Sequence, residues 1–176
     1  VETLRIYHNR LSEEQRHQRL MKIVNQVRHM ERITEDMLLL TNLQGKQHVF
    51  NPEVTDLVKF CCEIVSEFNL QDEHQDRVDC QSNNEMLMYS FDQKLMRQIL
   101  NNILHNALKY SDNDSTVEFR LNNTADAVII TVRDHGIGIP EAEIDRLFAP
   151  FYRASNVGVK PGTGLGLSIV KPAVEN

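Results

Sequence analysis

Two amides and an amine share one face of a predicted helix near the middle of the chain. Asn102 and Asn106 are four residues apart and Lys109 follows three residues later, so the three side chains project from one side of that helix. An amide oxygen is a suitable ligand for Mg²⁺, and an ammonium group suits phosphate oxygens. Taken alone, the segment is more typical of the solvated side of a helix than of a binding site.

A second polar segment, Asp134–Pro140 (DHGIGIP), directly follows a predicted strand. An aspartate at the end of a strand offers a carboxylate acceptor, and the glycines after it let the backbone approach a flat ligand closely. An ordinary turn explains the same residues equally well.

The third segment, Gly162–Ser168 (GTGLGLS), is rich in glycine and opens a predicted helix. Its N–H groups and the helix N-terminus form an anion site, to which Thr163 adds a hydroxyl. No Lys-Ser/Thr pair follows the glycines as in a P-loop, and no strand leads directly into them as in a dinucleotide-binding fingerprint. A flexible linker is the alternative, but the apolar helix directly behind the glycines argues against it.

A long helix is predicted over residues 12–43, opened by a capping box between Ser12 and Gln15. Residues 1–11 fit the last turns of a preceding helix. The long helix carries an apolar seam with a seven-residue repeat, formed by Leu20, Ile23, Val27, Met30, Thr34, Met37 and Thr41. Two partners for this seam remain open, its own domain and a second chain, and we favour a bundle with a second chain.

Residues 44–52 contain Gly45 and Pro52 and are typical of a linker. The remainder predicts an α+β domain with helices over one face of a mixed sheet. Its expected elements are a helix at about 53–69, short strands at about 77–80 and 86–89, a helix at 92–110 and paired strands at 117–121 and 127–133.

Composition excludes several classes of function. The 176 residues carry a net charge of -6, which argues against a broad surface for nucleic acid or anionic lipid. No apolar run approaches the roughly 20 residues that a membrane span needs, so we expect this chain to be cytoplasmic without membrane contact of its own, and a membrane-anchored parent protein stays open. The 3 cysteines lack metal-ligand spacing and predict reduced thiols, with metal binding as a remote alternative.

In this order the three polar segments resemble the N box and the two glycine boxes of the histidine kinase catalytic domain, a member of the Bergerat ATP-binding superfamily. Phe148–Arg153 (FAPFYR) resembles the F box of that family. Residues 1–43 resemble the end of the first helix and the whole second helix of its dimerisation hairpin. The resemblance implies a hairpin at 1–43 that forms a dimeric bundle, a linker at 44–52 and a two-layer ATP-binding domain at 53–176.

The resemblance also implies roles for individual residues. Asn106 would chelate Mg²⁺ with Asn102 beside it, and Lys109 and Tyr110 would contact phosphate and ribose. Asp134 would accept a hydrogen from the adenine amino group. A mobile lid at 141–161 would carry Arg153 to the γ-phosphate, so that Asn102, Lys109 and Arg153 are the expected catalytic residues. Further nucleotide contacts would come from Gly136, Ile137, Gly138, Phe151, Gly162, Thr163, Gly164, Leu165 and Gly166.

The implied function is ATP- and Mg²⁺-dependent phosphoryl transfer to a histidine of a homodimeric hairpin, for relay to the receiver domain of a response regulator. Two alternatives remain: an ATPase of the same superfamily, in which a glutamate stands at the position of Asn102, and a degenerate nucleotide-binding dimerisation module.

Three features depart from the family. None of the 7 histidines is followed by Glu or Asp, as the acceptor histidine of the family is, so we expect the acceptor outside this chain. The family continues into closing strands beyond the position of Asn176, so we expect an incomplete sheet. Pro172 falls inside the last predicted helix, at a cost of about 3 kcal/mol in a helix interior.

Overall fold

The computed structural model describes residues 12–71 and 76–175, so the helix end predicted at residues 1–11 lies outside the described residues. In that part of the chain, no helix is long and apolar enough to cross a membrane. The elements are α1 (Glu13–Gln44), β1 (Glu53–Asp56), α2 (Leu57–Asn69), β2 (Val78–Ser82), β3 (Met88–Phe91), α3 (Gln93–Tyr110), β4 (Val117–Asn123), β5 (Val128–Arg133) and α4 (Gly166–Glu175), with 3₁₀ turns at Glu141–Arg146 and Ser155–Val157 between β5 and α4.

Helix α1 begins at the predicted capping box. The Ser12 hydroxyl accepts from the Gln15 N–H at 3.2 Å, and the Gln15 side chain accepts from the Ser12 N–H at 3.2 Å. These two bonds satisfy N–H groups that have no partner within the helix. The helix ends where the Gly45 N–H bonds to the Thr41 carbonyl at 2.9 Å. The helix predicted at 12–43 is therefore confirmed to within one residue at each end.

The helix predicted at about 53–69 is wrong in its first turn. Glu53–Asp56 form strand β1, which pairs with β3 in antiparallel register with Val54 opposite Ser90. Asp56 ends the strand and caps α2, because its carboxylate accepts from the Val58 N–H at 3.1 Å and from the Leu87 N–H at 3.1 Å. An aspartate with extended backbone at this position ends the strand and begins the helix.

The strands form two sheets. β1 and β3 make a two-stranded sheet, while β2, β4 and β5 make a three-stranded sheet in which β2 is parallel and β5 antiparallel to β4. Helices α2 and α3 pack with this mixed sheet in one core, where Val117, Phe119 and Leu121 on one face of β4 are at most 1% exposed. The predicted α+β class with a mixed sheet is confirmed.

A second core joins α1 to the α+β domain. Leu40 and Leu43 at the end of α1 are buried against α3 and α4, and the Gln98 amide of α3 donates to Asp36 of α1 at 2.8 Å. Burial raises the pKa of Asp36. The seam residues farther towards the N-terminus of α1 remain exposed, including Leu20 at 52% and Val27 at 49%. One end of α1 therefore packs on its own domain, and the rest presents an uncovered apolar face.

Helix α4 continues through Pro172 to Glu175. Because proline has no N–H, it cannot donate to the Ser168 carbonyl one turn earlier. The Ser168 hydroxyl is buried and donates back to the Leu165 carbonyl at 2.7 Å.

Candidate functional site

Helix α3 presents the first polar segment at the rim of the domain. The Asp92 carboxylate caps the helix by accepting from the Leu95 N–H at 3.0 Å. Leu104 and Leu108 on the opposite side are at most 2% exposed, and their burial fixes the rotation of the helix about its axis. The three polar side chains predicted to act together are consequently half-buried at the rim, namely Asn102, Asn106 and Lys109.

The glycine-rich loop lies directly against this polar face. A Cβ atom at Gly162 would stand 2.6 Å from the Lys109 Nζ, and a Cβ at Gly166 would stand 2.9 Å from the Asn102 Oδ1. Both distances are shorter than ordinary van der Waals contact. Glycine at these two positions therefore lets the backbone before and at the start of α4 approach the amide and the ammonium of α3.

The second polar segment is joined to the end of α3. Ser111 and Gly136 form an antiparallel bridge, and the Ile137 N–H donates to the Tyr110 carbonyl at 3.2 Å. The Asp134 Oδ1 accepts from the Gly136 N–H at 2.9 Å, so this carboxylate is oriented through one oxygen while the residue stays exposed. All three predicted segments thus meet around the C-terminal half of α3.

The segment between the two glycine boxes is held at both of its ends. The Phe151 N–H donates to the Gly164 carbonyl at 3.0 Å, where both residues have positive φ angles, 63° and 74°. Glu143 accepts from the Ser155 hydroxyl at 2.5 Å and from the Tyr152 hydroxyl at 2.7 Å. These bonds lower the pKa of Glu143, and the bond to Glu143 raises the pKa of Tyr152.

The sequence predicted Asn156 and Lys160 as part of the lid at 141–161 without a role of their own. In the structure both residues contact the site. The Lys160 Nζ donates to the Lys109 carbonyl at 2.6 Å and lies 5.6 Å from the centroid of the Tyr110 ring, over which the Lys109 Nζ stands at 4.8 Å. The Asn156 amide donates to the Gly138 carbonyl at 3.0 Å. Lys160 could have been predicted as a site residue, because it stands two positions before Gly162, the first glycine of the loop.

Three further residues of the predicted site lie in the lid and in the two glycine segments. The Arg153 guanidinium donates to the Lys160 carbonyl, so its described bond lies within the lid and not with α3. The Thr163 hydroxyl accepts from the Leu165 N–H at 3.2 Å, which orders the loop just before α4. Gly138 has a φ of 66° and open space where a side chain would stand.

The arrangement suits a polyphosphate better than a metal ion alone. Two ammonium groups, Lys109 and Lys160, lie beside a loop that leads into the N-terminus of the ten-residue helix α4. Among residues 12–71 and 76–175, no group of three His, Cys, Asp or Glu side chains could hold a metal. A cation at Asn102 and Asn106 would therefore depend on amide oxygens and on phosphate oxygens of the ligand.

Residues 91–176 match the family described as histidine kinase-, DNA gyrase B- and HSP90-like ATPases. These residues form a domain of that family. A longer stretch of the chain is similar to the sensor histidine kinase WalK of Bacillus subtilis (strain 168). The two are 34% identical over 160 residues, and this match covers 89% of this chain and 26% of that protein. The sensor protein kinase WalK of Staphylococcus aureus (strain MRSA252) is 31% identical over 150 residues, 83% of this chain and 24% of that protein.

The chain thus spans about a quarter of the length of these curated relatives, and the resemblance to sensor histidine kinases is confirmed. Solved structures support the fold of this histidine kinase-like chain. The Acinetobacter baumannii histidine kinase AdeS has a TM-score of 0.73 at 22% identity over 94% of this chain and 75% of that chain. The catalytic domain of the histidine kinase ThkA has a TM-score of 0.60 at 25% identity, over 73% of this chain and 81% of that chain.

Two glycines of the histidine kinase-like site should respond differently to alanine. A Cβ at Gly136 would stand 2.5 Å from the Tyr110 carbonyl oxygen, whereas a Cβ at Gly162 would meet only the flexible end of Lys109. We expect Gly136→Ala to lower the free energy of unfolding by about 1–3 kcal/mol, because the backbone must shift. Gly162→Ala should change it by less than about 0.5 kcal/mol and instead weaken nucleotide binding. Denaturant unfolding compares the two, and equal losses of stability would contradict this geometry.

Proposed function

We propose that this chain is the ATP-binding catalytic part of a sensor histidine kinase. It binds Mg-ATP and transfers the γ-phosphoryl group to a histidine of a dimerisation helix, for relay to an aspartate of a response regulator. The observation that carries this proposal is the close approach of Gly162 to Lys109 and of Gly166 to Asn102. It joins an amide, an ammonium and a phosphate-type loop at one place.

Charge neutralisation is the main contribution of the chain at the phosphate end. Lys109 binds phosphate oxygens across the gap that Gly162 leaves, and the Lys160 ammonium, 5.6 Å from the centroid of the Tyr110 ring, adds a second positive charge. The N–H groups at the start of α4 complete an anion site. Bound Mg-ATP supplies the transferable phosphoryl group and a cation that neutralises its charge. The amide oxygens of Asn102 and Asn106 orient that cation, and in this class of reaction the protein mostly positions groups.

The base end of the site is formed by the second polar segment. The Asp134 Oδ1 is engaged by the Gly136 N–H, which leaves Oδ2 to accept a hydrogen from the 6-amino group of adenine. Ile137 is 47% exposed beside the end of α3 and offers an apolar surface to the base. Gly138 lets the backbone close over it.

The lid must rearrange for Arg153 to contact the γ-phosphate. In the described conformation the Arg153 guanidinium is bound to the Lys160 carbonyl, and the Lys160 ammonium is bound to the Lys109 carbonyl. An incoming phosphate competes for both cations, because a charged acceptor forms a stronger bond than a carbonyl. We therefore expect nucleotide binding to replace two bonds, the one from Arg153 to the Lys160 carbonyl and the one from Lys160 to the Lys109 carbonyl.

Transfer to a supplied histidine tests the proposed function. With γ-labelled ATP, we expect no acid-labile label on this chain alone, because none of its histidines stands in an acceptor context. A hairpin that carries the family's acceptor box should become labelled in its presence, and Asn106→Ala should abolish the labelling. Acid treatment identifies phosphohistidine. Acid-labile label on the chain alone would refute the assignment of its histidines, and an unlabelled hairpin despite measured Mg-ATP binding would refute the kinase proposal.

The exposed seam of α1 predicts a homodimer. Val27 is 49% exposed, so burial of its remaining surface against a second copy is worth about half of the roughly 1.5–3 kcal/mol that full burial of a valine gives. We expect Val27→Asp to weaken dimerisation by about tenfold or more. Gln26→Asp introduces the same residue at the adjacent exposed position and should have little effect. Light scattering over a concentration series measures both. A strict monomer at high concentration would refute the homodimer and would leave the proposal of nucleotide binding untouched.

A further inference from the structure

Two of the three cysteines lie side by side although they are far apart in the chain. Cys62 on α2 and Cys80 on β2 are 18 positions apart, and their Sγ atoms are 3.6 Å apart. Cys62 is exposed and Cys80 is half-buried, so solvent reaches the pair. Both lie outside the candidate nucleotide site, which is built on α3, the lid and α4.

The fold imposes this proximity. The Asn69 side chain at the end of α2 holds both polar backbone atoms of Val78 at the start of β2, with two bonds of 2.9 Å. β2 is in turn paired with β4, so that Cys80 stands opposite Phe119 in the core. The end of the helix is therefore tied to the start of the strand, which holds the two backbone segments that carry the thiols beside each other.

We propose that Cys62 and Cys80 form an oxidisable dithiol that a peroxide converts to an intramolecular disulfide. The Cys62 sulfur attacks one oxygen of hydrogen peroxide, the O–O bond breaks, and a sulfenic acid and one water are formed. The Cys80 sulfur then attacks the Cys62 sulfur and displaces its hydroxyl, which leaves as a second water with the Cys80 proton. Two thiols are oxidised by two electrons, and one peroxide is reduced to two waters.

The surroundings assign the order of the two steps. Burial and the hydrogen bond to Cys62 raise the pKa of the Cys80 thiol to about 12, which disfavours Cys80 as the first nucleophile. Cys62 is the exposed partner and meets the oxidant first. The S–S bond is about 2.05 Å long, so rotation of the two side chains must bring the sulfur atoms about 1.5 Å closer than they now lie.

The neighbouring Cys61 provides an internal control. It is 1% exposed in the main core, and burial raises its pKa to about 12. It differs from Cys62 by one position in sequence but points into the domain. A thiol in this position has no access to peroxide.

The test compares single variants of the reduced protein after treatment with stoichiometric hydrogen peroxide at low protein concentration. We expect the number of free thiols to fall from 3 to one in the parent chain and peptide mapping to link the peptide of Cys80 to that of Cys62. Cys62→Ser and Cys80→Ser should each abolish the link, and Cys61→Ala should retain it. A link that survives Cys62→Ser, a disulfide between two chains, or a sulfinic acid on Cys62 without any link would each overturn the proposal.

A second measurement does not depend on mapping. The new bond closes a loop of 18 positions, so oxidation should raise the melting temperature of the parent chain by several degrees, and a reducing agent should reverse the shift. Cys62→Ser should show no such shift. The affinity for Mg-ATP should stay unchanged on oxidation, which separates this proposal from the proposed function. An unchanged or lowered melting temperature in a chain shown to be linked would refute a cross-link compatible with the native fold.

Discussion

Replacing Asp134 by alanine is expected to weaken Mg-ATP binding by about ten- to hundredfold and to remove a preference for Mg-ATP over Mg-GTP. In the proposed site the carboxylate would accept from the 6-amino group of adenine, whereas guanine would present a carbonyl there and leave two acceptors facing each other. An acceptor that a bound base covers without a hydrogen bond costs roughly 1–3 kcal/mol, which corresponds to that range of affinity. Titration calorimetry with both nucleotides measures the effect.

Asp134→Asn is the matched variant. Its amide oxygen can still accept from the Gly136 N–H, so the turn is retained, while its NH₂ group replaces the second acceptor. We expect it to weaken Mg-ATP and to improve Mg-GTP relative to the parent chain. Thermal unfolding of both variants controls for loss of the turn. Equal affinities of the parent chain for the two nucleotides would count against the assigned base pocket.

Steady ATP hydrolysis by the unmodified chain should be far slower than about 1 s⁻¹, although nucleotide binding is intact. Water is a poor nucleophile, and a positioned general base contributes about 10²–10⁴-fold in rate. Asn102 lies beside Gly166, and the family resemblance implies that the related ATPases have a glutamate at this place. An amide cannot take a proton at neutral pH. Asn102→Glu should therefore raise the rate of hydrolysis, by up to about the 10²–10⁴-fold that a positioned general base contributes. A coupled phosphate-release assay measures it.

Asn102→Gln is the control, because it has the length of glutamate without its basicity and should leave hydrolysis slow. Added negative charge near the metal could weaken binding in Asn102→Glu, so rates are compared at saturating nucleotide. Turnover of the unmodified chain at about 1 s⁻¹ or more, abolished by Asn106→Ala, would decide for the ATPase alternative.

The polar face of α3 and the glycine loop were predictable because their signals are local. Helical spacing places Asn102, Asn106 and Lys109 together, and glycine before an apolar run marks the start of α4. That the two segments meet could not be read from spacing, and only the family resemblance implied it. The roles of these residues remain predictions, whereas their proximity at Gly162 and Gly166 is an observation.

Strand β1 was missed because Val54, three positions before Leu57 and four before Val58, continues the apolar spacing of α2 towards the N-terminus. Its extended conformation depends on pairing with β3, a contact made with residues more than thirty positions away. Tertiary pairing of this kind overrides local helical periodicity. Asp56 was the local signal that could have placed the boundary, since aspartate is a favoured N-cap residue.

The partner of α1 could not be chosen from its seam, because two apolar faces overlap in its sequence. Leu40 and Leu43 belong to the face that packs on α3 and α4, and Leu20 and Val27 belong to the exposed face. A seven-residue repeat is compatible with either face. The structure shows that the C-terminal end of α1 packs on its own domain, and the bundle with a second chain stays a proposal for the exposed part of the helix.

The docking of α1 on α4 has a practical consequence for dissecting the chain. Residues 44–52 resemble the natural place to divide it, yet Leu165 and Ile169, both 0% exposed, share a core with Leu40 and Leu43. A fragment that starts after Gly45 would carry an uncovered apolar groove directly behind the glycine loop. Such a fragment is prone to self-association at that groove. Ile33 and Leu39 also pack against this core, so we expect a fragment that begins upstream of Ile33 to keep the groove covered.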